Sequence, residues 1–326
     1  MPDNRDRSAA KEPAPLLPHL DACAASVQIS SALEEVTSHF SAQGVDCVAI
    51  KGAALLQTVY RDDPWQRSMV DADVMVLPHQ LEDACGELER LGFTRTPGEQ
   101  SNYSRQRGAT HVRIDLHEGL WYLDPGALRD FWRRAFVPEK SRLRVPAPED
   151  HMLLTAVHAV VLHGQLRPTW LEDLARLSSL AIDWAKLSHR ARSLRLQVPV
   201  YLALQAVAAA GTRIPSFVLR DLQPSGLDRL RAGFLKWCLR RPEAPQLGHV
   251  LRLIVPGRGP SCVRRLASQL APRAEFLQRR YPNAGSARRG LQLRLLRPYW
   301  TLKNLAALLW RVASPPAPAQ ARRSAA

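Results

Sequence analysis

Paired cysteines are missing from this chain. Its five cysteines (Cys23, Cys47, Cys85, Cys238 and Cys262) are odd in number and far apart, with no Cys-x-x-Cys among them. That excludes a disulfide framework and a zinc site of the paired-cysteine kind, so they read as reduced thiols. No secretory leader is expected, because residues 1–18 are polar and proline-rich with no apolar core. No apolar run is long enough to span a bilayer. The longest, 198–211, contains Gln205 and reads as a core helix. A cytoplasmic protein is therefore expected. Acidic residues are scarce only in the last third. From Arg229 onward there are 20 Lys/Arg and two Asp/Glu, a net of +18, whereas residues 1–228 hold 25 basic and 28 acidic residues, a net of −3. A basic surface draws phosphates from a distance, whether on RNA, anionic lipid or a polyanionic substrate.

What is present begins with a chain of 326 residues and the 46% hydrophobic content of a globular protein, enough for two medium domains or one domain with an extension. Apolar residues recur at helical spacing over 22–43, where Val27, Leu33, Val36 and Phe40 mark one face. A short apolar strand is expected over 45–50, a turn at Lys51-Gly52, a helix over 53–60, and a strand over 69–77. A helix over 78–91 ends at Gly92. A strand over 93–103 with a turn at Pro97-Gly98 follows, and then a strictly alternating strand over 111–117. Beyond Pro146 only helices are expected. They run over 151–163 with Asp150 as a cap, then over 170–180, 184–194, 200–210 and 227–239. The fold class is α/β (α+β): a small mixed sheet flanked by helices, then an all-helical region. The expected division is a disordered arm over 1–21, the α/β domain over 22–146, a helical domain over 147–228, a basic helical extension over 229–312 and a disordered tail over 313–326.

The chemistry-bearing residues lie on those strands. Asp71 and Asp73 are one residue apart, and alternation along a strand sets both carboxylates on one face. Two like charges side by side on a half-buried strand stabilise nothing by themselves. A divalent cation accounts for them, since Mg²⁺ takes one or two protein carboxylates together with phosphate oxygens. Asp115 offers a third carboxylate, with His111, Arg113 and His117 on the same polar face. A two-ion site needs that third ligand from a neighbouring strand, and a ligand so close to the attacking oxygen suits a general base. Gly52 lets a phosphate approach the backbone closely, and Lys51 and Arg67 supply positive charge to phosphates. His111 and His117 have a competing reading as surface or hydrogen-bonded structural residues. His158 and His163, five residues apart, do not have metal-ligand spacing on an α-helix and read as structural or supporting. Asp173 is expected to pair with one of them or with Arg176.

The order of these motifs resembles a known family. Val48-Ala49-Ile50-Lys51-Gly52-Ala53-Ala54, Tyr60, Arg67, Asp71-Ala72-Asp73-Val74-Met75-Val76 and Ile114-Asp115-Leu116-His117 are similar to the LKG…R…DxD…DLH pattern of bacterial nucleotidyltransferases of the polymerase-β superfamily. The likeness extends over about residues 25–180, with Pro148-Glu149-Asp150, His158 and Trp170-Leu171-Glu172-Asp173-Leu174 in its helical part. It implies transfer of an NMP from an NTP, with ATP the first donor to consider. It also implies Mg²⁺ at Asp71, Asp73 and Asp115, two ions with Mn²⁺ as an alternative, and phosphate at Gly52. Gly52-Ala53 stands where the wider superfamily has Gly-Ser or Gly-Gly, so a serine hydroxyl for phosphate is lacking. The acceptor is left open among a small molecule, a peptide or protein side chain, and RNA. The other reading is a catalytically decayed nucleotide- or RNA-binding module. The basic last third offers an RNA-binding surface or, over 299–312 with Trp300, Leu305, Leu309 and Trp310 beside Lys303 and Arg311, a helix lying on an anionic membrane surface.

Overall fold

A computed structural model describes residues 16–96, 101–108, 110–139, 141–240 and 248–260, with the single positions 263, 264, 267, 299, 303 and 306. The first fifteen residues, the turn at Pro97-Gly98, the tail and nearly all of the amphipathic segment 299–312 lie outside the described residues. Helix α1 (Leu16–Ala42) leads into β1 (Cys47–Ile50), α2 (Lys51–Leu56), β2 (Ala72–Val76), α3 (Leu81–Arg90), β3 (Thr94–Arg95), β4 (Asn102–Arg107) and β5 (Thr110–His117). The helices that follow are α4 (Pro125–Arg134), α5 (Pro148–Val157), α6 (Pro168–Ser178), α7 (Trp184–Ser193), α8 (Gln197–Ala209), α9 (Ser216–Asp221), α10 (Leu227–Leu239) and α11 (Gly248–Ile254). Among the described residues no helix is long and apolar enough to cross a membrane.

The five strands form one mixed sheet in the order β1-β2-β5-β4-β3. Only β2 and β5 run parallel; β1–β2, β5–β4 and β4–β3 are antiparallel. The α/β class is as the pattern predicts. Strand β2 is shorter than expected and starts after Asp71, and all five of its residues are buried. It is a central strand covered on both faces, not a half-exposed one. Strand β4 extends to Arg107, beyond the expected limit at 103. Its Asn-Tyr-Ser-Arg-Gln-Arg sequence buries only Tyr103, so too little apolar alternation remains to mark a strand.

Two helical details differ from expectation for physical reasons. Asp150 is not the cap of α5. Ala147 holds that position, and Asp150 lies in the first turn, where its carboxylate meets Arg134 and Arg190. The stretch expected as one helix over 151–163 changes period. It is α-helical to Val157 and π-helical over His158–His163.

Helix α7 ends in a reversed turn at Arg195, whose φ is +57°. The Leu196 N–H donates to Ala191 O at 2.7 Å and the Arg195 N–H to Arg192 O at 2.9 Å, the hydrogen bonds of a Schellman close. Glycine is the residue suited to that conformation, and Arg195 is exposed. Arg195→Gly is expected to stabilise the fold by about 0.5–1 kcal/mol, read as a rise of about 1 °C in Tm. An unchanged or lower Tm would show that the arginine side chain offsets its backbone strain.

Candidate active site

The site is set by strand register. Ile50 of β1 lies opposite Asp73 of β2, and Asp73 pairs with Asp115 of β5 across the parallel ladder. Residues opposite one another on adjacent strands point to the same face, so two carboxylates are brought together. His117, two residues after Asp115, is on that face as well. Its Nε2 lies 2.7 Å from Asp73 Oδ1 and 3.3 Å from Asp115 Oδ2. The Ser101 hydroxyl donates to the other oxygen of Asp115 at 2.7 Å. Lys51, the first residue after β1, turns the chain with φ +53° and donates from Nζ to Asp73 Oδ1 at 2.5 Å.

Electrostatics follow from this contact set. Burial opposes the charge on Asp73, but Lys51 and His117 outweigh it and hold the carboxyl well below the usual carboxylate range. Burial lowers the affinity of His117 for a proton, and hydrogen bonds to Asp115 and Asp73 more than reverse this, raising it to about 9. The imidazole is thus a cation bridging two carboxylates at neutral pH. Asp71 is raised by burial and then by the negative charge of Asp73.

Asp73, Asp115 and His117 offer ligand atoms within 4.8 Å of one another. Two carboxylate oxygens with an imidazole nitrogen form a donor set that suits a divalent cation. Lys51 and the His117 proton supply positive charge to the carboxylates. A divalent ion fits this arrangement, and its binding would release the His117 proton where that nitrogen became a ligand.

A cavity of about 460 Å³ opens beside the cluster. Lys51, Gly52, Asp71, Asp73 and Asp115 line it from the α/β part, and His158, His163 and Trp170 from the helical part. Asp71 therefore shares the cavity with Asp73 and Asp115 but is not in the close ligand group. Gly52 is packed tightly: a Cβ there would approach Met69 Sδ to 2.9 Å. Arg67 also lines the cavity, but its Nε is held at 2.8 Å by Asp173, a carboxylate 1% exposed, which also accepts the Tyr60 hydroxyl at 3.0 Å. Asp173 therefore pairs with Arg67, while Arg176 pairs with Glu172. His111 is exposed at the start of β5, where it pairs with Gln106, and it does not join the cluster. Arg113 is exposed too, and its charge acts on Asp71, favouring the ionised form.

His158 and His163 stay outside the ligand cluster and pair with each other. Their Nε2 atoms are 3.0 Å apart, because the π-helical turn aligns residues i and i+5. Trp170 packs edge-on to His158 with ring centroids 5.9 Å apart, and lies 4.6 Å from the His163 ring. Burial lowers both histidines, His158 to about 3, so the pair is neutral, with one Nε2 donating and the other accepting. The five-residue interval with a nearby tryptophan was the available signal, and it points to a pair only when a π turn is allowed for.

His151 fixes the Lys51 turn from behind. Its Nε2 donates to Lys51 O at 3.2 Å, and burial pushes the ring down to about 4. Above pH 6.5 the ring is neutral in folded and unfolded chains alike. Between pH 6.5 and about 4 only the unfolded chain takes the proton, so stability falls as pH falls. Going from pH 7 to pH 5, His151 alone is expected to cost about 2 kcal/mol. Urea denaturation of wild type and His151→Gln, whose amide keeps a donor, measures it. The variant should lose about that much less over the same interval, and equal losses would refute the assignment.

No curated relative matches the chain. It is similar to the solution structure of the antibiotic-resistance factor ANT(2'')-Ia, at 12% identity and a TM-score of 0.38, over 57% of this chain and 96% of that one. Residues 17–210 match the family described as uncharacterised nucleotidyltransferase. That span is more than half of the chain and takes in both aspartate strands and the π-helical histidines, and the chain accordingly belongs to this nucleotidyltransferase family.

Proposed function

We propose that the protein is a Mg²⁺-dependent enzyme that transfers an NMP from an NTP, ATP being the first candidate, to a hydroxyl of a second molecule. The observation that carries this reading is the Asp73–Asp115 register, two carboxylates held side by side and capped by His117 and Lys51. Asp73 and Asp115 would hold the metal, with Asp71 alongside. A divalent cation there offsets phosphate charge and aligns the triphosphate for in-line displacement. Lys51 is within reach of the phosphates through the ammonium that now rests on Asp73, and Gly52 keeps the wall of the cavity free of a side chain. Arg67 adds positive potential while Asp173 holds it in place. Asp115 takes the proton of the acceptor hydroxyl. The acceptor oxygen bonds to the α-phosphorus, the bond from that phosphorus to the bridging oxygen breaks, and pyrophosphate leaves with the electron pair.

Calorimetry with non-hydrolysable analogues of the four NTPs tests this reading. Mg²⁺-dependent binding by wild type, lost in Asp73→Asn, is the expected result. A folded wild-type protein that binds none of the four overturns it.

A further inference from the structure

Residues of the Asp73–Asp115–His117 cluster line two cavities. Asp73 and Asp115 line the first. The residues that hold Asp115, Ser101 at Oδ1 and His117 at Oδ2, line a second cavity of about 430 Å³. Asp115 thus lines the first cavity, and its two hydrogen-bond partners line the second. A transferase needs this relation between a donor subsite and an acceptor subsite, because the attacking hydroxyl must come to the α-phosphorus from outside the nucleotide pocket.

The lining of the second cavity indicates the kind of molecule it suits. Its lining includes the apolar Cys85 and Leu116, two guanidiniums, Arg95 and Arg252, and two carboxylates, Glu82 and Glu118. Arg95 is braced from within by the Tyr103 hydroxyl, which accepts from Nε at 3.1 Å and from Nη2 at 2.8 Å. A polyanion such as RNA would meet the two glutamates, and a polycation the two arginines. A volume of this size is at the small end of metabolite sites.

Resting on the transferase reading above, we infer that the second cavity is the acceptor subsite and that the acceptor is a small zwitterion bearing a hydroxyl. Its anionic group faces Arg95 and Arg252, its ammonium faces Glu82 and Glu118, and its hydroxyl lies towards His117 and Asp115. In the transfer the hydroxyl oxygen bonds to the α-phosphorus, its proton passes to Asp115 and pyrophosphate departs.

The test uses matched probes on the full chain loaded with Mg²⁺ and a non-hydrolysable NTP. One set is L-tyrosine, tyramine and 3-(4-hydroxyphenyl)propionate; the other is L-serine, ethanolamine and 3-hydroxypropionate. Within at least one set the zwitterion is expected to bind at least tenfold more tightly than either analogue. Arg95→Gln should abolish its advantage over the amine while leaving nucleotide affinity within twofold. Nucleotide binding with no zwitterion preference in either set, or a preference that survives Arg95→Gln, overturns the inference while leaving the transferase reading intact. Absence of nucleotide binding in wild type overturns the reading beneath it.

Discussion

Asp73→Asn is expected to lower the initial rate of pyrophosphate release by at least about 10³-fold, equivalent to about 4 kcal/mol of transition-state stabilisation. Asparagine keeps the volume and one acceptor oxygen but removes the charge at the centre of the cluster. Asp73 is where Lys51, His117 and the register partner Asp115 converge, so no neighbouring group replaces it. Asp71 shares the cavity but is outside the close ligand group, and Asp71→Asn should cost only about 10–100-fold, the scale of a supporting ligand. The ranking is the diagnostic. Equal losses for the two aspartates would mean that Asp71 is a full ligand when the metal is bound. A larger loss at Asp71 would contradict the assignment of the centre to Asp73.

The largest effect on stability is expected at Asp150. Its carboxylate is 4% exposed and takes four hydrogen bonds. Arg134 donates to Oδ2 at 2.9 and 2.7 Å, and Arg190 to Oδ1 at 2.9 and 2.6 Å. The two arginines come from α4 and α7, so this one group joins three helices. Truncating it leaves two guanidiniums with only Asp130 between them. Removing one partner of a buried ionic group typically costs about 3–5 kcal/mol, because the remaining charge has already lost its water. Asp150→Ala should therefore destabilise by that amount in urea denaturation. Asp130 is about one-third exposed, so Asp130→Ala should cost about 1 kcal/mol. A loss below 1 kcal/mol for Asp150→Ala would show that Asp130 and solvent satisfy both arginines.

Much of the fold was legible because it depends on local pattern. Alternation over 111–117 gave β5 nearly to the residue, and helical spacing with Gly92 gave α3. Asp73 and Asp115 are legible because strand periodicity places them, whereas Asp71 lies just before β2 and outside the close ligand group. His117 follows from the same period of two. What was not legible depends on partners distant in sequence. Nothing near Arg67 indicates that its guanidinium is held by Asp173, and nothing near Asp150 indicates that it serves Arg134 and Arg190 instead of capping a helix. Strand β4 was curtailed because its exposed positions are filled by polar residues with no alternation to read. The pairing of His158 with His163 is not legible from an α-helical period, because the turn that joins them is π-helical. In each case the tertiary contact overrides a local rule.

The strand order also bears on how the chain emerges during synthesis. Strand β5 enters the sheet between β2 and β4, although it is made last of the five. Until it arrives, β2 has a partner on one side only, and its apolar Ala-Asp-Val-Met-Val stretch is an open edge. Pairing across such a sequence gap is slow, and exposed strand edges recruit other chains. The strand that brings Asp115 to Asp73 is therefore also the one that closes this edge. The nascent protein loses this open edge in the same event that sets Asp115 beside Asp73.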